Sequence, residues 1–318
     1  MVTSSGRHPA TLLAYRRQSA WERMSESEKN LSSAFNEDYK AFLSAFKTER
    51  EVTAAAKNIL HKAGFRHLEG YNRLRPGDRV YTVNRHKTVV AAIIGKEPFG
   101  GGMNIIGAHI DSPRLDLKPQ PIYEEEGLVF LKTHYYGGIK KYQWLSVPLS
   151  LHGVVVKSDG TAINLVIGEN PGEPVFTVSD LLPHLAKDQM NKKMIDAIPG
   201  ESMNVLAGGI PLRDQEIKDR FKLAILEHLN KLYDIVEEDL ISAEIELVPA
   251  WPAKDIGFDR SFVGGYGQDD RVCAYTSLRA LVEINVPAQT SLVVLADKEE
   301  TGSSGNTGME SAFFTNVV

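Results

Sequence analysis

Apolar positions along residues 1–60 recur at intervals of three or four, which is the period of one face of an α-helix. The clearest stripe lies between Ser25 and Phe46 and consists of Leu31, Phe35, Tyr39, Phe42 and Phe46. A second helix is predicted over residues 48–60 and should end near Gly64. The pattern therefore predicts a helical N-terminal region.

Beyond residue 78 the pattern changes to short apolar runs, which are typical of strands. Residues 79–84 and 88–94 flank a short polar turn and predict a hairpin. Residues 103–110 form a continuous apolar run, which indicates a strand covered on both faces, as in α/β sheets. Near the other end of the chain, a helix is predicted over 271–284 and a buried strand over 290–296. These segments predict an α/β domain.

The region between about residues 118 and 250 has a different texture, with prolines, paired glycines and several short strands. It predicts a β-rich unit, as a small barrel or a sandwich. Strands are expected at 149–156, 162–168 and 242–248, and an amphipathic helix at 216–238. We therefore expect an α/β domain of residues 1–117 and 251–318, interrupted by a β-rich insert of residues 118–250.

The composition excludes several classes of protein. The 318 residues allow about two domains. They include 36 lysines and arginines against 41 aspartates and glutamates, and the resulting net charge of −5 argues against a nucleic-acid-binding surface, which is normally basic. No apolar run approaches the roughly 20 residues of a membrane span. The single cysteine, Cys273, excludes an intrachain disulfide framework and fits a reducing compartment. A cytoplasmic protein without a nucleic-acid or membrane partner is expected.

The first segment that suggests chemistry contains His109 and Asp111, at the end of the apolar run 103–110. Because side chains alternate along a strand, these two point to one face. A neutral imidazole can bind a metal ion while a carboxylate fixes its ring and tautomer. On this segment alone, however, a structural histidine paired with a neighbouring carboxylate is the favoured interpretation.

Two further segments carry adjacent carboxylates. Asp269 and Asp270 follow a glycine-rich loop and precede the predicted helix, where they could bind cations or simply match the helix dipole. Glu299 and Glu300 follow the buried strand 290–296. One glutamate of such a pair can bind a metal ion while the other takes a proton from water. The alternative for that pair is a solvated acidic turn.

Taken together, the three segments favour a metal site. Each lies at the end of a predicted strand or at the start of a predicted helix, and together they supply one imidazole and several carboxylates. That donor set suits zinc, cobalt or manganese, and the lack of clustered cysteines argues against a structural zinc finger.

The same segments resemble those of a known family. Gly107–Arg114, Gln268–Arg271 and Asp297–Ser303 resemble the corresponding segments of the aspartyl aminopeptidase and aminopeptidase I family of dinuclear zinc metallopeptidases, and Tyr135–Ile139 and Pro183–Ala186 also match. The resemblance covers essentially the whole chain. It implies a zinc-exopeptidase-like α/β/α catalytic domain that holds two divalent metal ions, zinc first, with cobalt or manganese as alternatives.

The resemblance also implies roles for individual residues and for the insert. The implied metal ligands are His109, Asp269, which would bridge both ions, and Glu300; Glu299 would be the general base, Asp111 would orient His109, and His184 would reach a neighbouring subunit's active site. Asp270 matches a position that is not always acidic and is left out of the ligand set. The insert would mediate dimerisation, and dimers would assemble into a tetrahedral dodecamer.

One departure from the family pattern concerns the ligands. In the family a further aspartate and a second metal-binding histidine follow the Glu-Glu segment, whereas no histidine follows His228 in this sequence. Residues 310–318 are predicted to start a helix whose apolar residues are left uncovered. We therefore expect a chain that lacks the C-terminal part of its catalytic domain.

Three functions remain open at this point. The first is a metalloaminopeptidase that hydrolyses the N-terminal peptide bond of peptides. The second is a non-catalytic or truncated family member retained for assembly, and the third is a related metal-dependent deacylase. Within the first, the residues do not distinguish a preference for acidic N-terminal residues from one for neutral residues.

Overall fold

The N-terminal part of the protein is helical in the computed structural model, which describes residues 13–15 and 17–318. Its helices are α1 (Ala20–Arg23), α2 (Glu26–Ala45) and α3 (Glu49–Lys62). Helices α2 and α3 each begin with a capping box, in which a hydroxyl and a glutamate satisfy backbone N–H groups of the first turn. The two predicted helices are confirmed, whereas the predicted helical region before Leu13, together with Arg16, lies outside the described residues.

Five strands form the first sheet, in the order β1, β2, β3, β13, β4. Their bounds are β1 (Arg66–His67), β2 (Arg79–Asn84), β3 (Thr88–Ile93), β4 (Met103–His109) and β13 (Thr290–Ala296). Strand β13 runs parallel to β4 and antiparallel to β3, and the predicted hairpin of β2 and β3 is confirmed.

Helices cover both faces of this sheet. One face packs against α2, α3 and α7 (Gln268–Glu283), where Leu43, Leu60 and Leu278 are buried together. The other face packs against α8 (Ala312–Val317). Strands between two helical layers confirm the predicted α/β class. The prediction that the apolar residues of the last helix are left uncovered is partly wrong, since Phe313, Phe314 and Val317 pack against the sheet. None of the three is fully buried, however, and Val318 is 58% exposed.

The prediction that strand β4 is covered on both faces is also wrong. Ile105 and Ile106 are 48% and 50% exposed. The reason is that β4 is an edge strand, paired only with β13 among the described residues. An apolar run indicates that a strand can be buried, but it does not indicate whether other strands pair with both of its edges.

A second sheet of six strands lies between β4 and β13 in the sequence. Its order is β8 (Ala162–Ile167), β7 (Leu149–Val156), β10 (Glu244–Pro249), β5 (Arg114–Glu125), β6 (Leu128–Tyr136) and β9 (Val205–Gly208), all antiparallel. Isolated bridges from Phe176 to Leu149 in β7 and from Thr177 to Leu206 in β9 connect these two strands through one short segment. The insert limits of 118 and 250 stay a prediction.

Helix α6 (Arg220–Tyr233) packs against this second sheet and is shorter than the predicted 216–238. Asp219 and Asp234 adopt left-handed backbone conformations and so flank the helix at both ends. The chain then turns to bury Ile235 in the core of the second sheet. The apolar periodicity of the sequence continues past Asp234, because Ile235 is apolar to fill the core of the second sheet and not to extend the helix.

A buried ionic cluster joins the two parts of the protein. Arg114, at the start of β5, is 4% exposed, and its Nη1 donates to Oε2 of Glu49 at the start of α3, at 3.2 Å. Its Nε donates to Asp116 at 2.7 Å and lies 3.3 Å from Oε2 of Glu246. Lys87, between β2 and β3, lies 2.8 Å from Oε1 of Glu49. These contacts fix the beginning of the second sheet against the first.

The remaining elements are short. They are α4 (Lys187–Met190), α5 (Met194–Ala197) and a ribbon of β11 (Lys254–Ile256) and β12 (Phe262–Gly264). Among the described helices, none combines the length and the apolar character that a membrane crossing requires.

Candidate metal centre

The candidate site lies where β4 and β13 end side by side. His109 is the last residue of β4 and pairs in register with Ala296 of β13. Three residues further on, Glu299 and Glu300 begin a short 3-10 turn after Lys298, which has a left-handed conformation. Parallel strands bring their carboxyl ends to one edge of a sheet, and this explains why segments 190 residues apart meet here.

Three side chains offer donor atoms to one point. One donor atom each from His109, Glu299 and Glu300 lies within 4.8 Å of the others. Nε2 of His109 is 3.7 Å from Oε2 of Glu299 and 3.1 Å from Oδ1 of Asp269, which stands in the first turn of α7. The imidazole is buried, whereas the side chains of Glu299 and Asp269 are 59% and 88% exposed. The group is therefore open to solvent on the carboxylate side.

The other side of the imidazole is held by Asp111. Nδ1 of His109 donates to the backbone oxygen of Asp111 at 3.0 Å and lies 3.4 Å from its Oδ1. Burial lowers the pKa of His109, but the contacts with Asp111 outweigh burial and raise that pKa to about 9. With Nδ1 engaged in this way, Nε2 is the nitrogen that faces the carboxylates and can accept a metal ion.

The carboxylates repel one another in the absence of a cation. Burial is the main cause that raises the pKa of Glu300, and the charges of Asp111, Asp269 and Glu299 raise it further. A divalent cation would replace this repulsion by attraction. One imidazole nitrogen together with converging carboxylate oxygens is a donor set that zinc accepts, so the residues present fit the ion.

Asp111 is completely buried and contacts several other residues of the site. Its carboxylate accepts hydrogen bonds from the backbone N–H groups of Glu299 and Glu300, each at 3.2 Å, and from the hydroxyl of Tyr136 at 2.7 Å. Burial would raise the pKa of Asp111, but these donors and His109 hold it below its usual value. An ionised Asp111 therefore ties the histidine and the glutamate turn together.

The structure brings five of the six proposed site residues together: His109, Asp111, Asp269, Glu299 and Glu300. Their roles stay predictions. His184 is not part of this group; it is exposed, between Val178 and α4 in the second sheet's part of the chain. Cys273 is exposed on α7.

Sequence reasoning missed the part that Tyr136 plays in the site. The pair Tyr135-Tyr136 before two glycines was visible as a motif, but its partner Asp111 lies 25 positions away on another segment. The alternation along β6 predicts that one of the two tyrosines is buried; it does not identify the carboxylate that the buried one meets.

Comparisons with known proteins match this chain to one family. The family described as "Aminopeptidase I zinc metalloprotease (M18)" matches residues 42–318. The "Probable M18 family aminopeptidase 1" of Clostridium acetobutylicum is 50% identical over 305 residues, which cover 95% of this chain and 66% of that protein. The resemblance inferred from the motifs is therefore confirmed.

Solved structures agree with this match. The crystal structure of an M18 aminopeptidase from Thermotoga maritima superposes with a TM-score of 0.90 at 46% identity, covering 96% of this chain and 66% of the other. That of aminopeptidase I from Clostridium acetobutylicum superposes with a TM-score of 0.88 at 47% identity, covering 96% and 68%. The chain thus spans about two thirds of the length of these relatives.

Proposed function

Because the chain belongs to the M18 family of aminopeptidase I zinc metalloproteases, we propose that it carries the metal-binding centre of an aminopeptidase that hydrolyses the N-terminal peptide bond of peptides. The observation that supports this most directly is the convergence of donors from His109, Glu299 and Glu300 within 4.8 Å. The chain covers 66% of its curated relative, so the activity is proposed for the whole protein.

The proposed ligands are His109, Asp269 and Glu300. Asp269 is the candidate that would bridge two ions, since its carboxylate is 88% exposed and lies 3.1 Å from Nε2 of His109. We propose zinc for both positions, with cobalt or manganese able to replace it. When bound, the ions polarise the substrate carbonyl and lower the pKa of a water molecule.

The proposed general base is Glu299. Its side chain is 59% exposed and lies beside His109, so it can reach both a water molecule and the amine of a substrate. Glu299 would take the proton of the attacking water and return it to the leaving amine. Asp111 does not touch the substrate; it holds His109 and the backbone of the glutamate turn in place.

We also propose that the protein forms homo-oligomers through the insert, with dimers as building blocks of a tetrahedral dodecamer. Support comes from an exposed apolar surface on the segment 181–195, which we call the 181–195 patch. Its large side chains are each more than half exposed, namely Leu181, Leu182, Leu185, Met190, Met194 and Ile195. His184 lies within this patch, where a second copy could receive it. We propose a cytoplasmic location, because a chain with a single cysteine fits a reducing compartment.

The test combines metal content with hydrolysis. The purified chain is dialysed against zinc, its bound metal is measured, and release of amino acids is followed from anilides with acidic and neutral N-terminal residues. We expect zinc to bind, and Glu299→Gln to retain the metal while losing any hydrolysis that the unmodified chain shows. Zinc binding without hydrolysis would favour a non-catalytic chain, and hydrolysis only of N-acylated substrates would favour a deacylase. Absence of zinc binding would refute the proposal.

A further inference from the structure

The insert sheet contacts the metal centre at the end of strand β6. Tyr136 is the last residue of β6, and its hydroxyl donates to Oδ2 of Asp111 at 2.7 Å. This is the shortest of the hydrogen bonds that Asp111 accepts. Since Asp111 also holds His109 and both glutamate amides, one hydroxyl from the insert contacts the residue on which the geometry of the site depends.

The ring of Tyr136 has little freedom to move. The residue is 7% exposed, and Cζ of Arg114 lies 3.8 Å from the ring centroid. Arg114 is itself fixed by the ionic cluster that joins the two parts of the protein. Nζ of Lys298, the residue before the glutamate pair, lies 5.6 Å from the same centroid. Burial and the neighbouring Asp111 raise the pKa of Tyr136 well above its usual value, so the hydroxyl stays a donor.

The residue that follows makes a second contact with the centre. Gly137 has a φ of +74°, and a Cβ atom at this position would lie 3.1 Å from both Cβ and Oε2 of Glu300. A side chain here would therefore have to displace the glutamate. The backbone of the insert passes this close only because the position is a glycine.

We infer that Tyr136 is a positioning residue of the metal centre, which acts through Asp111 to hold the imidazole of His109 and the turn that carries Glu299 and Glu300. The inference rests on the proposed function for its consequence, which is metal affinity, but the positioning itself is a property of the metal-free chain. It gives the insert a role in the centre besides assembly. Partners of the groups that hold a metal ligand typically change metal affinity by 10–100-fold when they are removed.

The experiment compares two matched substitutions. Tyr136→Phe removes only the hydroxyl, and Tyr135→Phe makes the same change at the neighbouring position, whose ring is 38% exposed and stacks on His134. Zinc affinity is measured by competition with a chelating dye, and the ligand geometry is followed by the visible spectrum of the cobalt-substituted protein. We expect Tyr136→Phe to weaken zinc binding by about 10–100-fold and to change the cobalt spectrum. Tyr135→Phe should change neither.

A second measurement needs no metal. Hydrogen–deuterium exchange of the metal-free protein is followed in the peptide that contains the amides of Glu299 and Glu300. We expect faster exchange there in Tyr136→Phe than in Tyr135→Phe, with the exchange of peptides remote from the metal centre unchanged. If the unmodified chain binds no zinc, the proposed function fails while this comparison still decides the inference. Equal exchange in the two variants would overturn it, as would equal zinc affinity.

Discussion

Replacing Arg114 by methionine should destabilise the protein strongly, because it removes the central charge of the ionic cluster that joins the two sheets. Arg114 and Glu49 are 4% and 1% exposed, and their charged atoms are 3.2 Å apart. For unit charges at this distance, Coulomb's law with an effective dielectric constant of about 20 gives about 5 kcal/mol. Removing one partner of a buried ion pair typically costs about 3–5 kcal/mol. Lys87, 2.8 Å from Oε1 of Glu49, compensates part of the charge that is left behind. We therefore expect the free energy of unfolding to fall by about 3–5 kcal/mol.

The loss of stability in Arg114→Met should depend on pH, and the pKa of Glu49 determines the direction. Burial alone would raise the pKa of Glu49, but the charges of Arg114 and Lys87 hold it well below its usual range. A carboxylate with a depressed pKa stabilises the folded state above its unfolded pKa and loses that contribution as the pH falls. Without Arg114, Lys87 remains beside Glu49, but burial is opposed by one cation fewer, so the pKa of Glu49 rises and protonation at lower pH relieves part of the buried charge. The difference in stability between Arg114→Met and the unmodified protein should thus be largest near about pH 8 and smaller near about pH 5.

Urea unfolding of the metal-free protein at both pH values measures the effect. The control is Arg50→Met, since Arg50 pairs with Glu244 at a site where the two side chains are 29% and 45% exposed. Exposed pairs contribute about 0–1 kcal/mol, so this control should change stability little. The reasoning would be refuted by an Arg114→Met protein within about 1 kcal/mol of the unmodified one, or by a deficit that grows on acidification.

Three further predictions concern the metal centre. Since the pKa of His109 is raised to about 9 without metal, zinc binding near neutral pH should release a proton from this imidazole, and zinc affinity should increase as the pH rises towards 9. Calorimetry in buffers of different ionisation enthalpy measures the number of protons released. A number of zero would contradict the assignment of His109 as a ligand. Asp111→Asn should weaken zinc binding by about 10–100-fold in a chelator competition, and unchanged affinity would remove Asp111 from the site. Gly137→Ala, at a φ of +74° and 3.1 Å from the side chain of Glu300, should cost about 1–2 kcal/mol in thermal unfolding and weaken zinc binding, whereas Gly138→Ala, with no atom within 4 Å of the added Cβ, should do neither.

The sequence was informative about the site where a general rule connects distant segments. His109 ends one apolar strand and Glu299 follows another, and sites in α/β sheets lie at the carboxyl ends of strands, so a shared site could be expected. The parallel pairing of β4 with β13, which brings the two residues together, came from the structure. The contribution of Tyr136 could not be predicted, because no local sequence pattern identifies the hydrogen-bond partner of a buried hydroxyl.

The fold shows the same division. The α/β class could be predicted from apolar periodicity, and so could seven strands of the two sheets, namely β2, β3, β4, β7, β8, β10 and β13. Strands β1, β5, β6 and β9 were not predicted. The end of α6 at Tyr233 could not be predicted, since it depends on a left-handed Asp234 and on a core that receives Ile235 from another direction. The edge position of β4 could not be predicted either, since it depends on which strands pair with β4.

The edge position of β4 has a consequence for handling the protein. Soluble proteins commonly guard an edge strand with a lysine, a proline or an inward-pointing charge, which discourages pairing with a second chain. Residues 103–108 of β4 contain none of these, and the two isoleucines at its centre are about half exposed. Two copies of the isolated chain can therefore add their β4 strands to each other. Refolding yield should fall as protein concentration rises, and a lysine in place of Ile105 should restore it.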